Sequence, residues 1–196
     1  MVKYSIMTGK LKGIPGLNTS PLNNSFCKAM SKKPGSICGS CYSINMLKTF
    51  RKTADPAFRK YGEFLSKKVH PSEYLPKPPN ALYVRFSAHG ELINLNHTIN
   101  LFKICRLAPK TTFALWTKRK TLAWKAIKAT GKPKNLILVY SEEDVDGNSK
   151  LPKHFDKIFI VQSKQDDKTN CFGSCIDCLK CYDNSNNITH IYEKIK

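Results

Sequence analysis

Ala81-Leu82-Tyr83-Val84-Arg85-Phe86, Thr112-Phe113-Ala114-Leu115-Trp116 and Leu136-Ile137-Leu138-Val139-Tyr140 are three short apolar runs, and what separates them decides the fold. Leu95 to Leu107 repeats its apolar residues at helical intervals and stops before Pro109; Thr121 to Thr130 does the same and is closed by Gly131. Lys157 to Gln162 is a fourth run. Strands of this length alternating with helices predict parallel βαβ units with right-handed crossovers. Four to six such units are too few for a closed eight-stranded barrel. The expectation is an α/β protein with an open or partial (βα) barrel-like parallel sheet.

Upstream of these units, Leu47, Phe50, Ala54, Phe58, Tyr61 and Leu65 recur at three- and four-residue steps between Asn45 and Lys68. Asp55-Pro56 splits this pattern into two helices, with Asp55 expected to cap the second. Pro71, Pro76, Pro78 and Pro79 enforce an extended connection, and residues 1–45 are rich in Gly, Pro, Ser and Asn, as loops are. With 196 residues, 41% of them hydrophobic, the chain has material for one core. We expect a single domain over 1–196: a loop-rich segment at 1–45, βα units at 81–165 and a cysteine-rich segment at 166–196.

That last segment holds Cys171-Phe-Gly-Ser-Cys175-Ile-Asp-Cys178-Leu-Lys-Cys181. Cysteines this close make poor disulfides, because a bridge needs a particular Cα separation. Zinc is more often held by two cysteine pairs with a longer spacer. The Cys-x2-Cys-x2-Cys run matches the ligand spacing around ferredoxin cubanes. An iron–sulfur cluster is the leading reading, with zinc and free or bridged thiols as alternatives. Cys27, Cys38 and Cys41, in the first loop region, form a second candidate set. They could hold a cubane with one iron left open, or contribute to a zinc knuckle. Cys171 could complete either set, giving one [4Fe–4S] cluster or two, and the seven cysteines together form a C-terminal cysteine knot plus an N-terminal trio. Cys105, among Leu101, Phe102, Ile104 and Leu107, reads as core.

In parallel α/β sheets, functional groups gather at the carboxyl ends of the strands. Here those ends carry Ser87-Ala88-His89-Gly90-Glu91, Thr117-Lys118-Arg119-Lys120, Ser141-Glu142-Glu143-Asp144 and Ser163-Lys164-Gln165-Asp166-Asp167. Glu91 can hold an ammonium or act as a base, and His89 can shuttle a proton; the structural alternative is a tight turn at Gly90 with Glu91 capping the next helix. Arg85, in an apolar strand, needs a carboxylate or a ligand anion. Trp116 with its three following cations reads either as a phosphate and base platform or as a basic turn, while Trp124 is expected to pack inward. Glu142, Glu143, Asp144 and Asp146 form a cluster of the kind that holds a divalent ion, but in a protein this basic they are expected to pair with lysines.

Thirty-three Lys and Arg against 14 Asp and Glu give a net charge of +19. A field of that strength makes nucleic acid or another polyanion the expected partner, although an AT-rich genome also inflates lysine. No run reaches membrane-spanning length and the start lacks a signal-peptide core, so no membrane association and a cytoplasmic location are expected.

Taken together, Cys27 with Cys38-Gly-Ser-Cys41-Tyr42, Arg85-Phe86-Ser87-Ala88-His89-Gly90-Glu91-Leu92, Trp116-Thr117-Lys118 and the terminal cysteine run resemble the phage gene product 88 family over about residues 20–182. The resemblance implies a viral protein working in the host cytoplasm. More distantly the layout is similar to a truncated radical-SAM barrel. That similarity implies a radical-SAM-like oxidoreductase or lyase, with S-adenosylmethionine as a cofactor beside Gly90, Glu91 and Arg85. The ten residues between Cys27 and Cys38 depart from the usual spacing of such enzymes.

Overall fold

Six strands form one sheet whose spatial order follows the chain: β1 (Gly16–Leu17), β2 (Tyr83–Phe86), β3 (Thr112–Thr117), β4 (Leu136–Ser141), β5 (Lys157–Gln162) and β6 (His190–Lys194). Every neighbouring pair is parallel, and the sheet does not close on itself. The computed structural model describes residues 2–195. A doubly wound sheet reverses its strand order at a switch point; this one does not. The connections contain α1 (Ser25–Met30), α2 (Tyr42–Lys48) and α3 (Asp55–Lys67) between β1 and β2. They continue with α4 (Leu95–Leu107) before β3, α5 (Lys120–Thr130) before β4, and the single turn α6 (Cys175–Cys178) between β5 and β6.

Alternation along the strands sorts the side chains into two layers. Val84, Phe86, Phe113, Leu115, Leu138 and Tyr140 pack with the buried faces of α3, α4 and α5 in the main core. The intervening residues Ala114, Trp116, Ile137 and Val139 face the other way, where Ile14 and Tyr182 cover them and Cys175 and Cys181 pack alongside. The helices thus occupy one face, and the cysteine-rich segment closes much of the other.

The expected elements at 81–162 stand within a residue or two of their sequence boundaries, and Cys105 is fully buried in the main core. Two strands were not expected. β1 is two residues long, and β6 has only Ile191 buried, so neither carries an alternating apolar pattern. Asp55 does not cap α3. It is the first helical residue, and its carboxylate accepts hydrogen bonds from Arg59 one turn on and from the Ser20 hydroxyl. Trp124 is not inward: it is 39% exposed, with the Lys128 ammonium 3.9 Å from its ring. The C-terminal cysteines form a loop around α6, and all eight cysteines of the chain are free thiols.

α3 and α4 are locked by Asn100, whose amide nitrogen donates to the Leu65 and Lys68 carbonyls at 2.7 Å each while its oxygen accepts from the His70 amide. That closes the C-terminal carbonyls of α3, which a helix end otherwise leaves open.

Candidate metal centre and its cleft

The outer halves of Arg85, Trp116, Ser141 and Phe159, at the carboxyl ends of β2–β5, form the floor of a cleft of about 400 Å³. Cys27, Cys38 and Cys41 line its rim together with Gly90 and Glu91. The chain brings these distant pieces together through short polar residues. Asn24 caps α1, its oxygen accepting from the Phe26 and Cys27 amides, while its nitrogen donates to the Glu91 carbonyl at 3.0 Å. Cys27 is thereby tied to the loop after β2. The Ser36 hydroxyl accepts from the Cys38 amide at 3.2 Å and donates to the Glu143 carbonyl, and Ile37 N–H donates to the same carbonyl. Cys38 is thereby tied to the end of β4.

Gly90 has φ +77°, and a Cβ there would lie 2.3 Å from the Thr19 carbonyl oxygen. The loop is clasped at this point. Thr19 N–H donates to the His89 carbonyl, and the Asn18 side chain accepts from the His89 amide at 3.0 Å. Ser87, two residues after the unusual Arg85, also holds a left-handed backbone at φ +56°.

Glu91 is buried, and burial raises its pKa against the pull of its hydrogen bonds. Oε1 accepts from Thr117 Oγ1 at 2.6 Å and from Leu92 N–H at 2.7 Å; Oε2 accepts from Lys118 N–H at 2.8 Å. The carboxylate therefore staples the end of β2 to the end of β3, and Oε2 retains a lone pair for a cleft ligand. It is not the cap of α4. Asn94 is, accepting from His97 N–H at 3.0 Å.

His89 does not line this cleft. Its ring lies between Tyr42 and Phe58, at centroid distances of 6.4 and 5.7 Å, with Nδ1 2.8 Å from Ser43 Oγ. Burial, reinforced by Arg51 and Arg85, lowers its pKa to about 4. His97 is likewise lowered to about 4 by burial, and its Nδ1 accepts from Ile93 N–H. Both rings are neutral when folded, whereas the unfolded chain protonates them near 6.5. The unfolded state thus binds more protons between those values, so stability is full above about pH 6.5 and falls as pH drops toward 4. Urea midpoints should fall steeply over that window, each histidine contributing up to about 3 kcal/mol. Replacing His97 by Gln should flatten the profile.

Of the two partners expected for Arg85, a carboxylate or a ligand anion, no carboxylate pairs with it among the described residues. Its guanidinium carbon stacks 3.1 Å above the Trp116 ring. The cations after Trp116 are engaged internally. Lys118 Nζ donates to Ser141 Oγ and the Glu142 carbonyl, Arg119 to the Leu92 and Ile93 carbonyls, and Lys120 Nζ lies 4.6 Å from the Tyr140 ring centroid. The turn is a structural staple. Half of the acidic group pairs with lysine as expected, Lys33 bridging Glu143 and Asp144; Glu142 instead accepts backbone N–H groups from Glu143 and Ser149, and Asp146 accepts one from Ser163.

On the same sheet face, Cys171, Cys175, Cys178 and Cys181 all border one cavity of about 20 Å³. Lys10 Nζ donates to Cys171 Sγ at 3.1 Å and pairs with Glu193 Oε1 at 2.7 Å. Burial pushes the Cys171 and Cys175 thiols up and that of Cys181 to about 12, while Lys10 and Arg85 act in the opposite direction. The buried Lys157 also faces Cys181. Cys27 and Cys38 are raised by burial and by neighbouring thiols and Glu91, with Lys118 opposing. Tyr182 borders the small cavity and Trp116 the cleft, and their rings are 5.8 Å apart.

A family model described as Gene product 88 matches residues 4–195. The chain belongs to the gene product 88 family. No curated protein and no solved structure gives a significant match.

The fit of this gene product 88 protein to thiolate-bound metal rests on its donor set. Four cysteines share one cavity, with Lys10, Arg85 and Lys157 placed to offset the charge their ionisation would create. Three more cysteines share the cleft rim. Among the described residues, no three His, Cys, Asp or Glu side chains stand at the spacing that holds a single ion. No helix among the described residues is long and apolar enough to cross a membrane.

Sequence reasoning missed Lys10, Asn24, Ser36 and Tyr182. Asn24 and Ser36 each stand just before a short helical segment, the position where Asn and Ser cap; that signal was available. Lys10 is one of many lysines, and nothing local marks it.

Proposed function

We propose that this protein binds iron–sulfur clusters, with Cys27, Cys38 and Cys41 as the ligands of a [4Fe–4S] cluster at the cleft rim and Cys171, Cys175, Cys178 and Cys181 as the ligands of a second. The observation that carries the reading is the meeting of three cysteines, remote from the strand ends in sequence, with Gly90 and Glu91 on one cleft. A cubane held by three thiolates leaves one iron open to a ligand from the cleft. Glu91 Oε2, hydrogen-bonded by one N–H only, would accept an ammonium such as that of S-adenosylmethionine, and the sequential strand order accords with a partial (βα) barrel of the radical-SAM type. The activity would then be that of an oxidoreductase or lyase on a phosphate-rich substrate, in the cytoplasm of a host cell.

A second reading keeps zinc at the C-terminal cysteines. The observation behind it is that all four border one small cavity, and a closed zinc site would need them to draw together around one ion. The protein would then be a zinc-stabilised basic module for nucleic acid, with no redox chemistry, since zinc has none; a role as an electron carrier belongs to the iron–sulfur reading without S-adenosylmethionine.

Iron, acid-labile sulfide and zinc measured on one anaerobically purified sample decide between them. About eight irons with equal sulfide support two clusters and about four support one, because each cubane carries four. Zinc without sulfide overturns the iron–sulfur reading.

A further inference from the structure

We propose that Arg85 is the anchor for an oxyanion, a carboxylate or a phosphate, on the substrate that enters the cleft. Three observations converge on it. Its Nε is buried without a hydrogen-bond partner at bonding distance. Buried polar groups in native proteins are nearly always satisfied, so an orphan here marks the place of a missing partner. The guanidinium is also held flat against Trp116 at 3.1 Å, so its donors are fixed in direction before any ligand arrives. Finally, Arg85 lies on the cleft floor, and Lys194 lines the same cleft.

Other cations nearby are already committed: Lys118 to Ser141 and the Glu142 carbonyl, Lys10 to Glu193 and Cys171. Arg85 has no such commitment to a carboxylate. A planar guanidinium fork matches a two-oxygen edge with parallel hydrogen bonds, which a lysine cannot reproduce. The cleft's size, about 400 Å³, suits a molecule of nucleotide dimensions. The proposal rests on the reading of this cleft as the reaction site, but its test does not require metal.

Trp116 is the reporter. The chain has two tryptophans, so W124F leaves Trp116 as the only tryptophan, and excitation at its red edge avoids the tyrosines. Titration of that protein with AMP, adenosine and benzoate should show saturable fluorescence change with AMP or benzoate and none with adenosine. AMP alone would assign a phosphate, benzoate alone a carboxylate. R85K should weaken binding by about tenfold or more, and R85Q should abolish it. Because loss of the stack could unfold R85Q, the wild-type chain supplies a second arm: phenylglyoxal modification of Arg85, mapped by peptide mass, should be blocked by the bound anion while Arg106 stays reactive. No response to either anion, equal affinity in R85K and wild type, or unprotected Arg85 would overturn the proposal. Iron and sulfide content of the same sample is read separately, so a failed cluster assignment and a failed anion site give different results.

Discussion

Gly90→Ala is expected to lower stability by about 3 to 5 kcal/mol, a large share of the roughly 5–15 kcal/mol that holds a domain together. Two costs combine. A side chain at φ +77° pays the left-handed penalty, about 1–2 kcal/mol. The new methyl would also stand 2.3 Å from the Thr19 carbonyl and hydroxyl oxygens, and backbone cannot yield as a flexible side-chain tip can. Gly131 supplies the control, since it has φ +71° and nothing within 4 Å of its would-be Cβ. Gly131→Ala should therefore cost about 1–3 kcal/mol, from backbone strain alone at φ +71° and ψ 153°. Urea unfolding of both variants checks this, and equal losses would show that the Thr19 contact is not what fixes the loop. The variant should also disturb the cleft, because Thr19 and Asn18 hold the loop bearing Glu91.

The paired cysteine variants should separate the two candidate centres. Cys38→Ser with Cys41→Ser should remove about four irons and their sulfide while leaving the metal at the C-terminal cysteines. Cys175→Ser with Cys178→Ser should remove the other set and also lower the unfolding midpoint markedly. Cys175 and Cys181 pack with Trp116, Val139 and Tyr182 in the second core, and metal closure there, if the proposal holds, would add folding energy. Metal content and a urea curve on each variant provide the readout. Complete loss of iron in both would mean one centre shared across the two sets, and unchanged content in both would remove these residues as ligands.

The central βα units were legible because their strands are continuous apolar runs and their helices end at Pro109 and Gly131. β1 and β6 were not, for a physical reason: edge strands bury few side chains and take their pairing from a neighbour rather than from their own pattern. The cysteines and Glu91 were singled out as candidates by residue type and place. Their supports were harder to read, since Asn24 reaches Glu91 across 67 residues and Lys10 reaches Cys171 across 161. Arg85 was recognised as needing a partner, but its stacking on Trp116 depends on the β2–β3 register, where Arg85 pairs with Ala114, and no local pattern gives that. Trp124 was misjudged, and the internal engagement of the cations after Trp116 could not be read, because hydropathy assigns a side chain to core or solvent without showing which carbonyls or rings are in reach.

A sheet whose spatial order repeats its chain order has a consequence for synthesis. Each strand from β2 onward finds its partner already made, so the sheet can extend as the polypeptide leaves the ribosome, N-terminal portion first. The cysteine-rich segment and β6 come last. Until translation reaches them, the face carrying Trp116, Ile137 and Val139 has no Tyr182 to cover it. If the C-terminal thiols take up metal as proposed, that loading is a late event, and a chain that stalls before residue 182 would expose an apolar surface and an unpaired β5 to aggregation.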